Sequence, residues 1–180
     1  MDVVCEAETL DDTIQVADAP LILRAPEKHD GQAIHDLIAR CEPLDLNSVY
    51  TYLLLAEHFS PTCVLAHERD QLRGFVSAYT PPGRPDVLFV WQVAVHRQAR
   101  GRGLGPRMLR HLLGRPGLED IRYMETTVGP SNRASRRMFA RVAGSLGAPV
   151  RESRLFSRSL FGPHGHDDEP LLRIGPFDAH

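Results

Sequence analysis

"VWQVAVHRQARGRGLGPRML", residues 90–109, sets three glycines two residues apart among arginines: Arg100, Gly101, Arg102, Gly103, Gly105 and Arg107, with Arg97 just ahead. A near-continuous apolar run, "VLFVWQVAV" (87–95), leads into the turn and reads as a strand buried on both faces. Out of it "PRMLRHLLG" places Met108, Leu109, Leu112 and Leu113 on one side of a helix. Backbone freedom and positive charge therefore meet at a strand-to-helix junction. The start of a helix offers unpaired N–H groups and the positive end of the helix dipole. Glycine lets that backbone approach an anion closely, and arginine adds fixed, fork-shaped charge. The combination suits a pyrophosphate. It is not a Walker loop, since no Gly-Lys-Ser/Thr follows, and the Gly-x-Gly-x-x-Gly spacing of a dinucleotide fold is absent.

The flanking chain reads as one mixed domain. "LILRAP" (21–26) is a short strand closed by proline, and a helix is expected from about Asp30 to Cys41, stopped by Pro43. "LDLNSVYTYLLLAEHF" (44–59) is a second helix capped by Asn47 or Ser48. "TCVLAHE" and "LRGFVSAY" form a hairpin across "RDQ", and "TPPGRPD" (80–86) is a loop by composition. After the glycine turn come a strand at "IRYMETTV", a helix from "SNRASRRMFARVA" with Ser131 as its cap, and strands around "SRLFS" and "LLRIG". The order β-α-α-β-β-β-α-β-α-β-β predicts a mixed sheet in an α+β domain.

Composition narrows the function. The 180 residues carry a net charge of -2, and no apolar run approaches the ~18 residues of a membrane span. Residues 1–20 carry only acidic charge and no sustained period, so they read as a disordered tail, with one domain over 21–180. The start is not a signal peptide, and three cysteines without metal or redox spacing point to a reducing cytoplasm. The pI of about 6.5 favours a small anionic ligand over nucleic acid.

Arg100-x-x-Gly103-x-Gly105 behind a hydrophobic strand resembles the acetyl-CoA pyrophosphate motif of the GNAT superfamily of N-acetyltransferases. "NRASRRMF" (132–139) is similar to that superfamily's second helix motif. The resemblance implies a GNAT fold: a mixed, mostly antiparallel sheet with splayed central strands, flanked by about four helices. It implies acetyl-CoA as co-substrate. Arg100, Gly101, Arg102, Gly103 and Gly105 would then surround its pyrophosphate, Asn132 would meet the pantetheine arm, and the main chain of Val93 and Val95 would pair with pantetheine amides. "LDLNSVYTYLLLAEHF", "FVWQVAV", "ETTVGPSN" and "HDDEPLLRIGP" further resemble the L-2,4-diaminobutyrate acetyltransferase family over about residues 21–176. That likeness implies transfer of acetyl to the γ-amino group of L-2,4-diaminobutyrate for ectoine synthesis, by a homodimer. Two alternatives stay open: another amine acceptor (a protein N-terminus or an aminoglycoside), or a sensor that binds acetyl-CoA without catalysis.

A diamino acid calls for carboxylates and aromatic faces around its ammonium groups. Asp45 is the first candidate, with Tyr50 and Trp91 as walls; for Trp91 the alternative is core packing on the face of Val93 and Val95. Glu125, inside an apolar strand, is either a paired structural group or a proton acceptor. His166 and Glu169 belong to the late loop expected over the acceptor end, and His166 has the intrinsic pKa of a base or relay. Glu125, His166, Asp45 and water remain the candidate bases. "HGHDDE" (164–169) has metal-ligand residue types but no distant partner cluster, so no metal is expected. Phe139 stands where many members of the superfamily carry a tyrosine acid, which leaves Tyr123, Tyr79, water, or direct departure of the thiolate.

Overall fold

The computed structural model describes residues 20–164 and 167–178; the acidic tail, but for Pro20, and His166 lie outside them. Its elements are β1 (Leu21–Arg24), α1 (Gly31–Ile38), α2 (Val49–His58), β2 (Val64–Glu68), β3 (Gln71–Tyr79) and β4 (Val87–Val95). Then follow α3 (Leu104–Leu113), β5 (Tyr123–Thr127), α4 (Arg133–Ser145), β6 (Val150–Phe156) and β7 (Glu169–Ile174). The seven strands form one sheet in the order β1-β2-β3-β4-β5-β7-β6. All neighbours are antiparallel except β4 and β5. No helix among the described residues is long and apolar enough to cross a membrane.

Helices cover both faces, and strand alternation assigns each residue to one of them. Ile34, Ile38, Tyr52 and Leu55 of α1 and α2 pack on Leu65, Phe75 and Ala94. Met108, Leu109, Leu112, Phe139 and Val142 of α3 and α4 pack on Val64, Val76, Leu88 and Val90. β4 changes parity midway. Leu88 and Val90 face α3, yet so do Val93 and Val95, while Ala94 faces α1. The cause is a bulge: Ala78 pairs with Val90 and Ser77 with Gln92, so Trp91 is an extra residue with no partner. Its side chain is 44% exposed, which rules out the core-packing reading.

The same bulge ends the pairing with β5. β4 meets β5 only over Val87–Tyr123, Leu88–Met124 and Phe89–Glu125. Beyond Phe89 the two strands part, which is the expected splay.

Boundaries differ from the sequence expectation by a few residues. Asp30 ends a short 3-10 turn instead of starting α1, because its carboxylate is taken by Arg24 at 2.7 Å and by the Glu27 amide at 2.7 Å. Ser48 caps α2 through Thr51 N–H. Asn132, not Ser131, caps α4, accepting from Ser135 N–H at 3.1 Å. At the far end, Gly175 sits at φ 127, where a Cβ would come within 2.5 Å of the Arg122 carbonyl oxygen. That carbonyl also accepts from Phe177 N–H at 3.0 Å, fastening the last segment under β5. Gly175→Ala therefore combines a disfavoured backbone angle with a clash against main chain, and should destabilise by about 3 kcal/mol. Urea unfolding of the two proteins measures it; equal stability would mean the segment moves freely.

Candidate active site

Two cavities meet at the split in the sheet. The first, about 380 Å³, lies between β4, the glycine turn and the start of α4. Val93, Val95, Arg100, Gly101, Gly103, Gly105 and Asn132 line it. Gly101 and Gly103 adopt φ 78 and 73, and Gly103 is the residue from which α3 starts. α3 begins at Leu104, two residues earlier than expected, so the Leu104 and Gly105 amides are its unbonded first-turn donors beside this cavity, with the dipole behind them; Pro106 has no N–H.

His96 N–H donates to the Arg73 carbonyl on β3 at 2.8 Å. Strand alternation then turns the N–H and C=O of Val95 and Val93 the other way, into the split. Arg100 is docked at the mouth, its Nε donating to the Val95 carbonyl at 3.1 Å, and the Cys41 thiol donates to the same carbonyl at 3.5 Å. Burial pushes the Cys41 thiol up, so it stays a neutral donor.

Two residues of the turn play parts other than those expected of them. The Arg102 guanidinium is on Glu68 at 2.8 Å, and Arg102 does not line this cavity. Gly105 lies inside α3, where a Cβ would sit 2.5 Å from Met138 Sδ; it secures the close approach of α3 and α4 as well as lining the cavity. Asn132 is committed to its cap through Oδ1, which leaves its amide NH2 for the cavity.

The second cavity, about 880 Å³, lies on the other side of the split and shares Val93, Asn132 and Ser135 with the first. Asp45, Trp91, Glu125 and Glu169 line it, as do Tyr79 and Phe139. Asp45 is not a helix cap, since Ser48 holds that place. Neither Asp45 nor Glu169 has an ion pair or side-chain hydrogen bond among the described residues. Tyr50 is 67% exposed on α2 and lies outside the lining of this cavity.

Glu125 is 1% exposed and fully engaged. Arg84 NH2 lies 2.8 Å from Oε2 and NH1 3.0 Å from Oε1, while Arg173 NH1 donates to the same Oε1. With both oxygens held by guanidinium donors, Glu125 is a paired anchor and not a proton acceptor waiting for substrate. Tyr123, one of the proposed acids, lies under the Arg173 guanidinium at 3.8 Å and does not line the cavity; Tyr79 does. His166 cannot be placed, lying outside the described residues. Among those residues no group of His, Cys, Asp and Glu is gathered as for a metal.

Sequence reasoning missed Arg84 and Gln92. Gln92 Nε2 donates to the Asp45 carbonyl at 2.8 Å, which leaves its buried Oε1 without a partner: an acceptor in the cavity wall. The signal available was a glutamine inside an apolar strand.

The model of the acetyltransferase (GNAT) family matches residues 31–144. An L-2,4-diaminobutyric acid acetyltransferase of Bordetella parapertussis is 59% identical over 156 residues, covering 86% of this chain and 84% of that protein. One of Chromohalobacter salexigens is 45% identical over 169 residues, with coverage of 93% and 88%. Among solved structures, diaminobutyrate acetyltransferase EctA from Paenibacillus lautus, in complex with its substrate L-2,4-diaminobutyric acid and coenzyme A, superposes with a TM-score of 0.85. It is 41% identical, and the match covers 88% of this chain and 96% of that one. The ribosomal-protein-S18-alanine N-acetyltransferase from Escherichia coli, at 17% identity and a TM-score of 0.60, shares the fold alone.

Proposed function

This chain belongs to the acetyltransferase (GNAT) family, and from that premise we infer that it transfers acetyl from acetyl-CoA to the γ-amino group of L-2,4-diaminobutyrate. The observation that carries the reading is the pair of cavities joined across the split. One suits a pyrophosphate; the other presents Asp45 and Glu169, which have no side-chain partners among the described residues. The product, N-γ-acetyl-diaminobutyrate, is the precursor of ectoine.

The residues divide the work as follows. The first-turn amides of α3, the main chain of Gly101 to Gly103 and the Arg100 guanidinium hold the pyrophosphate. The outward N–H and C=O of Val93 and the N–H of Val95 pair with the pantetheine amides, the Val95 carbonyl being taken by Arg100 and Cys41, and the Asn132 amide adds a contact. Bound there, acetyl-CoA supplies an acyl group activated as a thioester. On the acceptor side, Asp45 and Glu169 accept from the ammonium groups, and Trp91 closes the wall; Gln92 Oε1 is enclosed behind them. A primary ammonium of pKa around 10 is neutral in only about one molecule in a thousand near pH 7. Proton removal therefore has to accompany attack. Asp45 and Glu169 line the path, as water does; the oxygens of Glu125 are already occupied. Tyr79 lines the cavity at the level of Phe89, away from Val93, and Phe139 carries no proton, so water protonates the thiolate or it departs as such.

We also take residues 21–180 as a single acetyltransferase domain working in the cytoplasm as a homodimer. Support for the dimer comes from β6, an edge strand exposed along its length and ending in the exposed Leu155 and Phe156, with Leu160 exposed just after it.

Thiol release from acetyl-CoA, measured with diaminobutyrate, ornithine, lysine, an aminoglycoside and a short peptide, tests the reading. Rapid turnover of diaminobutyrate with acetyl on the γ-nitrogen by mass spectrometry is expected. A folded protein that binds coenzyme A but leaves diaminobutyrate untouched would overturn it.

A further inference from the structure

Arg84 is the one cation in the wall of the acceptor cavity among the described residues. It comes from the loop between β3 and β4, yet it is held in place. Glu125 grips NH1 and NH2 together at 3.0 and 2.8 Å. Arg173 braces the same carboxylate while stacked on Tyr123 at 3.8 Å. Two guanidiniums on one carboxylate leave one positive charge uncompensated. Glu125 is enclosed and the Arg84 side chain is 44% exposed, so that charge is presented to the cavity. In the lining of the same cavity are Asp45 and Glu169, neither of which has an ion pair among the described residues. The wall thus offers two negative charges and one positive, the inverse of a diamino acid with two ammonium groups and one carboxylate.

Position adds a direction. Glu125 is level with Phe89, the last pair before the strands separate, and Val93 lies four residues further on, about 13 Å at the rise of a β-strand. We propose that Arg84 binds the α-carboxylate of the diamino acid at the closed end of the split, with Glu125 and Arg173 as positioning residues. The α-amine is bonded to the carbon next to that carboxylate and is kept beside Arg84. The γ-amine is two carbons further along and is the one that reaches the thioester. The proposal rests on the diaminobutyrate reading and assigns its selectivity to one contact.

The test compares L-2,4-diaminobutyrate with 1,3-diaminopropane, which keeps both amines and lacks the carboxylate, in the wild type, Arg84→Ala and Arg84→Lys. The ratio of the two kcat/KM values is read. In Arg84→Ala it should fall about 10- to 100-fold, the loss expected for a charge-assisted hydrogen bond, and α-acetylated product should appear. Arg84→Lys retains a charge on Glu125 and should keep part of the preference. An unchanged ratio in both variants, with the two substrates losing rate together, would reduce Arg84 to a structural role and overturn the proposal. A wild type that fails on diaminobutyrate removes the premise, and the proposal with it.

Discussion

Gly103→Val raises the acetyl-CoA concentration needed for half-maximal rate by about 100-fold, a loss of about 3 kcal/mol. The change has two separable effects, a backbone strain that lowers stability and a Cβ in the path of the anion that lowers affinity. Gly103 holds φ 73 and ψ 19, a region that costs an ordinary residue about 1–2 kcal/mol and a β-branched one more. A Cβ at this position meets no protein atom within 4 Å. The space it enters therefore belongs to the cavity, where it pushes the anion off amides that contribute about 1.5–3 kcal/mol per charge-assisted bond. Gly103→Asn separates the two, since asparagine tolerates the left-handed region but still carries a Cβ; about 10-fold is expected. Calorimetric titration with acetyl-CoA reads the affinity directly, and thermal unfolding reads the strain. Unchanged cofactor affinity in Gly103→Val would refute the role given to the turn.

Glu125→Ala should be the most damaging change on the acceptor side, at about 3 kcal/mol of stability. Removing one partner of a buried ion pair typically costs about 3–5 kcal/mol, because the charge left behind is uncompensated. The lower end applies here, since Arg84 and Arg173 both reach solvent and are screened. In a chain of this size the melting temperature should drop by about 6–12 °C, with partial recovery in added salt. Glu125→Gln keeps the shape and should lose less. The pH–rate profile distinguishes an anchor from a base: if Glu125 only positions Arg84, the surviving activity keeps the wild-type limb on the acidic side. Disappearance of that limb in Glu125→Gln, at unchanged stability, would make Glu125 the proton acceptor after all.

The sequence carries what is local. The glycine-arginine turn, the apolar strand before it and the amphipathic helix after it lie within some twenty residues, and periodicity resolves them. The element order follows from similar short-range signals, so the α+β architecture with four helices was legible. What was not legible depends on pairing across the chain. Glu125 reads as a costly carboxylate in a strand, but its partners Arg84 and Arg173 are 41 and 48 residues away. Arg84 hides in "TPPGRPD", which composition marks as a loop and nothing more. Arg102 looks identical to Arg100 until Glu68 of the neighbouring hairpin is folded beside it. Trp91 defeats simple alternation because a bulge inserts one residue, and a bulge exists only relative to the partner strand. Tyr50 is aromatic and close in sequence to Asp45, yet the helix turns it outward.

The bulge at Trp91 also bears on how the molecule holds together. With β4 and β5 joined over three residue pairs, the sheet is two leaves on a short seam, β1 to β4 on one side and β5, β7 and β6 on the other. A ligand lying in the gap touches Val93 on one leaf and Asn132, just past the end of the other, so it works as a clasp as well as a reactant. Its binding energy then enters the cohesion of the fold, by about 2.7 kcal/mol at a hundredfold excess over its dissociation constant. Occupancy of the gap therefore adds to the resistance of the two leaves to separation, over and above the three residue pairs of the seam.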